Sequence, residues 1–221
     1  MKKIENLGAK LEIANDENTT ILVGSLENSE IFLNENSQLT LVAVLSKGWE
    51  EKVSLNFHIQ GRNAHLKFIA LVIGTEKDKF AFDTTSIHTI DHTNAYYFVR
   101  SGLFDESQID YKGTLVIKKP AQLTDSYLSH HTLMLSPKAR TFTVPSLEIE
   151  ADDVKAGHAA TIGNVDEETL FYLQSRGIDK EEGQRMMIRG FMEHDLKEIE
   201  DEEARAEVKA EIEIHLAKHL H

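Results

Sequence analysis

The stretch that decides the fold is residues 92–125, which read HTNAYYFVRSGLFDESQIDYKGTLVIKKPAQLTD. It holds two candidate strands, at 95–100 and 113–117, in which β-branched and aromatic residues are concentrated. A polar, Gly-containing break separates them. The pattern indicates short strands rather than helices.

Outward from this stretch the same pattern covers roughly residues 20–163. Leu55, Phe57 and Ile59 alternate with polar residues, which predicts one buried face and one face in water. Frequent short strands fit a sandwich, a barrel or a solenoid, and periodicity alone leaves the three open. The remaining candidate strands are 21–23, 39–45, 53–59, 66–73, 132–135 and 147–149.

After residue 163 the pattern changes to helices. Asp166 is a good N-cap for a first helix around 169–174, and Gly177 stands where a C-terminal cap belongs. Asp179 followed by Glu182 opens a second helix. A third helix is expected from about 201 to 219, and its apolar stripe must dock on another part of the protein. The stripe consists of Ala204, Val208, Ile212 and Leu216.

Composition excludes several classes of function. With 37 acidic and 24 basic residues the formal charge is −13, which repels phosphate backbones and anionic lipids, so neither nucleic acid nor a membrane is expected as a partner. The absence of cysteine rules out disulfides and thiolate sites. No export signal or apolar span is visible, so a soluble, cytoplasmic protein is expected.

Residues 92–125 end in Ala121, Gln122, Thr124 and Asp125, and at this point the sequence resembles the C-terminal half of SufB/SufD iron–sulfur cluster assembly scaffolds. Five further segments match that family in order and spacing: 133–139, 145–149, 151–155, 157–163 and 170–178. The resemblance covers roughly residues 85–195. Residues 1–84 share only the β-rich character, and the longer N-terminal helical region usual in the family is expected to be missing.

The resemblance implies a right-handed parallel β-helix, over residues 1–163, followed by a small C-terminal α-helical subdomain, over residues 164–221. It also implies a non-catalytic scaffold subunit of a SUF system. Such proteins pair through their β-helices, with a second SufB/SufD-type subunit or as homodimers. They bind an ABC-type ATPase through the C-terminal helices. The residues expected at that ATPase contact are Leu170, Phe171, Tyr172, Arg176, Gly177, Ile178, Met187 and Phe191.

The sequence departs from the family at the reactive positions. Ala139 aligns with the cluster-building cysteine of B-type members, and Ala159 aligns with their nearby glutamate. Ala156 replaces the cysteine of the D-type stretch, whereas the D-type histidine is kept as His158. A methyl group neither ligates iron nor accepts sulfur. We therefore expect no intrinsic cofactor, only a transient cluster shared with a partner, with His158 as the candidate ligand or else a packing residue.

Four other histidines offer a weaker metal hypothesis. His88 and His92 are four residues apart, which would place them on one face of a helix or a strand. His130 and His131 would point to opposite faces of a strand. Surface or interface roles are the favoured interpretation for all four.

Two alternatives to the scaffold function stay open. One is a structural homodimer that has lost cluster chemistry, suggested by the alanines at the reactive positions. The other is a β-helix carbohydrate-active enzyme, suggested by the acidic residues Asp91, Asp110, Asp152 and Asp153. The catalytic-site loops of hydrolases, P-loop ATPases and dinucleotide-binding enzymes are absent from the sequence, so ATP hydrolysis must come from a partner.

Overall fold

The computed structural model of the protein describes residues 2–4 and 7–219. Within these ranges thirteen β-strands precede three α-helices and one 3₁₀ helix. The strands are β1 Lys2–Lys3, β2 Lys10–Ile13, β3 Asn18–Val23, β4 Ser29–Leu33, β5 Gln38–Leu45, β6 Val53–Ile59, β7 His65–Gly74, β8 Lys79–His88, β9 Asn94–Leu103, β10 Gln108–Ile117, β11 Thr124–Met134, β12 Arg140–Ile149 and β13 Val154–Asn164. The helices are α1 Glu167–Ser175, α2 Lys180–Glu193, the 3₁₀ helix His194–Glu198, and α3 Glu202–His219.

The strands form a parallel β-helix. Odd-numbered strands lie in one sheet in the order β1-β3-β5-β7-β9-β11-β13, and even-numbered strands lie in the other, from β2 to β12. Every pairing between described strands is parallel, for example Leu41 beside Ile21 on one side and Phe68 on the other. Because each turn of the chain adds one strand to each sheet, the molecule grows as a solenoid. The predicted fold is confirmed.

The interior of the solenoid is built from alternate residues of both sheets. In β6, Val53, Leu55, Phe57 and Ile59 are buried, and the residues between them are half-exposed. Phe57 lies with its ring centroid 5.8 Å from Phe68 and 5.8 Å from Tyr97, side chains of the opposite sheet. The inward-facing residues of successive turns thus form one continuous core.

One row of corners is held in the left-handed backbone conformation. Asp16, Asn36 and Asn63 have φ of 59°, 55° and 59°. The side-chain amide of Asn36 donates to Asp16 Oδ1, and that of Asn63 donates to Asn36 Oδ1. His92 and Leu123 continue the row at φ 55° and 59°. Asp and Asn tolerate this conformation well. The corner ladder therefore fixes the spacing of consecutive turns.

The C-terminal helices cover the outer face of the odd-numbered sheet. The predicted stripe of α3 is fully buried there, and it shares a hydrophobic cluster with the 3₁₀ helix and with outward-facing residues of β3, β5 and β7. The stripe thus docks on the side of the solenoid. The sheet residues in this cluster include Leu22, Val42, Val44, Ile69, Leu71 and Ile73.

The helix signals correspond closely to the observed helices. Asp166 accepts hydrogen bonds from Glu168 N and Thr169 N at the start of α1, and Asp179 accepts from Glu182 N at the start of α2. Gly177 follows α1 with φ 87°, as expected of a C-terminal cap. Within the described residues no helix is long and apolar enough to cross a bilayer.

Candidate functional site

The C-terminal end of the β-helix is open. Among the described strands, β13 pairs only with β11 and β12 pairs only with β10, so each has one free edge of backbone donors and acceptors. Large apolar side chains stand exposed at this end: Phe142 is 62% and Ile162 60% exposed, and Ile149 is also exposed. Unpaired edges and exposed apolar groups together are typical of an interaction surface.

His158 lies in the middle of this open end. It sits on β13 in register with Leu128, which is buried in the core, so the imidazole lies on the inward face of its strand. It is nevertheless exposed, because no further strand or turn covers β13 in the described structure. The side chain is accessible to a molecule that docks on the open end.

Inside the last turns the core becomes polar, and two histidines are enclosed there. His88 is within 2.8 Å of Thr93 Oγ1 at Nδ1 and within 3.2 Å of Ser126 Oγ at Nε2. His130 is within 2.7 Å of Thr143 Oγ1 and 2.9 Å of Ser101 Oγ. Burial lowers the pKa of each to about 3, so both are neutral at pH 7 and hydrogen-bonded at both nitrogens.

The other two histidines lie elsewhere. His92 occupies a corner beside Asp91, with Nδ1 to carboxylate oxygen 3.0 Å, so it does not share a face with His88. His131 points outward from β11, as the alternation predicted, and its Nδ1 is 2.6 Å from Thr161 Oγ1. In residues 2–4 and 7–219 no group of three or more His, Cys, Asp or Glu side chains could hold a metal ion.

The acidic residues considered for an enzyme do not converge. Asp91 is 3.5 Å from the Arg62 guanidinium at a corner, while Asp110 faces outward from the middle of the even-numbered sheet. Asp152 and Asp153 are exposed in the connection between β12 and β13. A glycosidase needs two carboxyl groups flanking one bond, and this arrangement does not supply them.

The hairpin of α1 and α2 presents an exposed aromatic surface. Phe171 is 73% exposed and Tyr172 55%, and the Arg176 guanidinium lies 5.2 Å from the Tyr172 ring centroid. Met186 is exposed as well, a residue that the sequence reasoning left out of the site. Two residues along a helix lie about 200° apart. Because Ile188 is buried, Met186 points outward from the same helix.

The other expected contact residues of this hairpin are less accessible. Leu170 is buried against α2, where a Cβ on Gly183 would come within 3.0 Å of its methyl group. Phe191 is half-buried under the Arg100 guanidinium, 4.9 Å from the ring centroid. Gly177 is exposed, and Ile178 and Met187 are half-buried. The accessible part of the predicted set is thus Phe171, Tyr172, Arg176 and Gly177.

The comparisons with known proteins identify the family of this chain. Residues 5–191 match the family model "SUF system FeS cluster assembly, SufBD core domain". The chain belongs to the SufB/SufD family. Relatives include the iron-sulfur cluster assembly protein SufD of Escherichia coli, which is 27% identical over 84% of this chain and 44% of its own length. SufD of Bacillus subtilis is 35% identical over 65% of this chain and 33% of its own length.

A SufBD family protein of Pyrococcus horikoshii is 30% identical over 82% of this chain and 35% of its own length. The chain therefore spans less than half the length of these SufB/SufD relatives. The residues matched by the family model include most of the β-helix and of the helical hairpin, whereas α3 follows after them.

The positions where this SufB/SufD chain carries alanine lie in three environments. Ala139 is buried in the core just before β12, and Ala156 is half-buried against the cluster of Ile117 and Ala121. Ala159 is half-buried on the outward face of β13, next to His158. None of the three methyl groups can hold iron. Among these four positions, only His158 carries a side chain able to ligate a metal.

Proposed function

We propose that this chain is a non-catalytic scaffold subunit of a SUF-type iron–sulfur cluster assembly system. In this function it pairs with a second SufB/SufD-type subunit, or with a second copy of itself, through the open end of the β-helix. It binds an ABC-type ATPase through the hairpin of α1 and α2. Family membership and the relatives named as cluster assembly proteins support a function in a SUF system. The proposals for subunit pairing and ATPase binding rest on the exposed surfaces.

The observation that carries the pairing is the free edge of β12 and β13. Two strands left unpaired at the same end offer backbone hydrogen bonds in register, and Phe142, Ile149 and Ile162 add apolar area to be buried. A partner strand added to each sheet would extend the solenoid across the interface.

The ATPase contact is supported by the hairpin surface. Phe171 and Tyr172 are large, exposed and held on a capped helix, and aromatic and arginine side chains are the usual anchors of protein interfaces. Leu170 and Phe191 support this surface from within, because both pack against the protein itself.

The iron–sulfur cluster is cargo in this proposal. A cluster needs several ligands, and His158 is a single imidazole without thiolate or carboxylate partners among the described residues. His158 would contribute one ligand at the interface, while the partner subunit supplies the rest. The protein needs no catalytic group of its own for this function.

The test is co-expression with the B-type scaffold and the ATPase from the same source, followed by affinity purification and light scattering. Ile162→Asp should abolish subunit pairing, because it places a charge in the buried interface. The matched control Ile214→Asp alters an exposed isoleucine on α3 and should pair normally. Phe171→Ala combined with Tyr172→Ala should lose the ATPase and keep the scaffold partner. A folded chain that binds neither protein contradicts the proposal.

Anaerobic reconstitution of the purified complex tests the cargo role. Iron retained by the wild-type complex should fall in His158→Ala while the mass of the complex stays unchanged. Equal iron content in both complexes would contradict the role of His158. It would favour a structural homodimer or heteromer in which this chain takes no part in cluster chemistry.

A further inference from the structure

A polar groove runs along the outer face of the odd-numbered sheet, away from the surfaces described above. It lies between the corner ladder and the segment that opens α3. Two adjoining cavities of 460 and 610 Å³ form it, and both are lined by Gln38, His65, Lys67 and Glu200. The groove crosses β3, β5, β7 and β9, so its long axis follows the axis of the solenoid.

The strand register places the groove residues in rows. Asn18, Gln38, His65 and Asn94 stand side by side on four neighbouring strands, at the outward positions that begin them. Neighbouring strands are about 4.8 Å apart. A row of this kind offers hydrogen-bonding groups at regular intervals along a line. The second row, one outward position further along, contains Thr20, Thr40 and Lys67.

Most of these polar groups have no hydrogen-bond partner among the described residues. The side chains of Asn18, Thr20, Gln38, Thr40 and Asn94 form no hydrogen bond with any other described residue. The corner asparagines a few ångströms away are, by contrast, all bonded to one another. The groove therefore carries amide and hydroxyl donors and acceptors whose bonding capacity is unused.

The groove is electrically balanced. Lys67 Nζ lies 3.0 Å from Glu200 Oε1 and 3.3 Å from the carbonyl oxygen of Glu198, so its charge is compensated. Burial, and then the nearby Lys67, lower the pKa of His65, which keeps this imidazole neutral at pH 7. A charged ligand such as a phosphate would find no uncompensated cation here, and the net charge of −13 would repel it.

An aromatic ring lies beside the groove residues. The Tyr96 ring adjoins His65, with centroids 5.6 Å apart. Burial, the charge of the neighbouring Asp125 and a hydrogen bond to it raise the pKa of Tyr96 to about 12, so the hydroxyl is protonated and directed to Asp125 while the ring face adjoins the groove. An amphipathic ring beside free amides and hydroxyls suits a ligand with apolar faces and polar edges.

We propose that this groove binds a neutral, linear polyhydroxylated chain, an oligosaccharide, laid along the solenoid axis. The stacked amides and threonines would bond its hydroxyl groups, and Tyr96 would cover one sugar face. An extended peptide is disfavoured because β3, β5, β7 and β9 are each paired on both sides and offer no free edge. The site is for binding, since both carboxylates that line the groove are engaged within the protein: Glu200 accepts from Lys67 and Asp201 accepts from Ala204 N at the start of α3.

The experiment is a titration of the ¹⁵N-labelled full chain with maltohexaose, cellohexaose and chitohexaose, followed by amide chemical shifts. At least one of the three should shift amides of residues 18–20, 38–40, 65–67 and 94–96. Thr40→Val, which removes one hydroxyl at nearly constant shape, should weaken that binding about tenfold. Gln38→Ala should weaken it by a similar factor.

The matched control is Thr85→Val, an outward-facing threonine on the opposite sheet, which should bind like the wild type. The amide spectrum of each variant reports directly whether it is folded. The proposal is overturned if none of the three sugars shifts the groove amides, if shifts arise only elsewhere, or if Thr40→Val and Gln38→Ala both bind normally.

Discussion

At the scale of single residues, the unusual feature is a histidine core. His88 and His130 are enclosed by hydroxyl groups of Thr93, Thr143 and Ser101 at hydrogen-bond distance. A neutral imidazole donates from one nitrogen and accepts at the other, and a hydroxyl can do either, so all these groups are satisfied. A protonated ring would instead leave a buried charge without a counter-ion. The network is therefore stable only while both rings are neutral.

This network predicts a loss of stability in mild acid. The folded-state pKa of each histidine is about 3, below the ordinary 6.5, so between these values the unfolded state binds more protons. The stabilisation is complete above pH 6.5 and falls as the pH drops, by about 1.4 kcal/mol per pH unit for each histidine. Urea unfolding at pH 6.0, 5.5 and 5.0 measures this slope, because in this range an unfolded histidine is mostly protonated while both folded-state rings stay neutral.

His130→Gln should reduce that slope by about 1.4 kcal/mol per pH unit, because one titrating group is lost. His158→Gln replaces an exposed imidazole and controls for the substitution itself. An unchanged slope in His130→Gln would show that this ring does not control the acid response.

At the scale of elements, a buried ion pair fixes the helices to the sheet. Arg100 Nε on β9 lies 2.5 Å from Asp195 Oδ2 on the 3₁₀ helix, and both side chains are buried. The guanidinium also covers the ring of Phe191 on α2. Nearby, Glu213 of α3 accepts from Arg185 and Arg189 of α2, at 2.9 and 3.1 Å. The hairpin is thus oriented in part by Glu213 of α3, which lies outside its own sequence.

Asp195→Ala should cost about 3–5 kcal/mol of unfolding free energy, since Arg100 would remain buried without its partner. Replacing both residues, as Arg100→Met with Asp195→Leu, should recover most of the loss. The exposed pair Lys118–Glu150 is the control, and Glu150→Ala should change the unfolding free energy little, because solvent screens an exposed ion pair. Denaturant unfolding of the three variants and the wild type measures these values; equal losses for Asp195→Ala and Glu150→Ala would contradict the argument.

At the scale of the whole molecule, α3 braces the solenoid. Its buried stripe contacts outward residues of three successive turns, represented by Leu22, Val42 and Ile69. An ion pair from Lys3 on β1 to Glu207 joins the helix to the first strand. The stripe covers the sides of these turns and leaves the open end of the β-helix, with β12 and β13, uncovered.

Two isoleucines of α3 test the brace with matched chemistry. Ile212 is fully buried and Ile214 is 54% exposed, although they are two residues apart on one helix. Ile212→Ala should lower the unfolding free energy by about 2–5 kcal/mol, as core truncations do. Ile214→Ala should stay within about 0.5 kcal/mol of the wild type. Thermal and urea unfolding compare them; similar losses would mean that α3 is not docked as described.

Part of the β-helix was readable from local pattern, and part was not. The strand predicted at 53–59 coincides with β6, and both cap aspartates hold their helices, because these signals act within a few residues. β8 was missed although Phe80 and Phe82 alternate clearly. β13 is rich in glycine and alanine, which seldom form strands, and its extended shape comes from pairing with β11.

The sequence by itself determined the alternation of strands, the helical tail and the resemblance to the SufB/SufD family, because periodicity, capping and motifs are local along the chain. The choice of a solenoid over a sandwich or a barrel came only from that resemblance. Among the four positions compared with the family's reactive residues, only His158 carries a side chain able to ligate a metal. Only the tertiary structure decided which surface the α3 stripe covers, and that His130 is enclosed while Phe171 is exposed and Leu170 is not. Those outcomes depend on contacts between residues far apart in sequence, whose energies no local pattern contains.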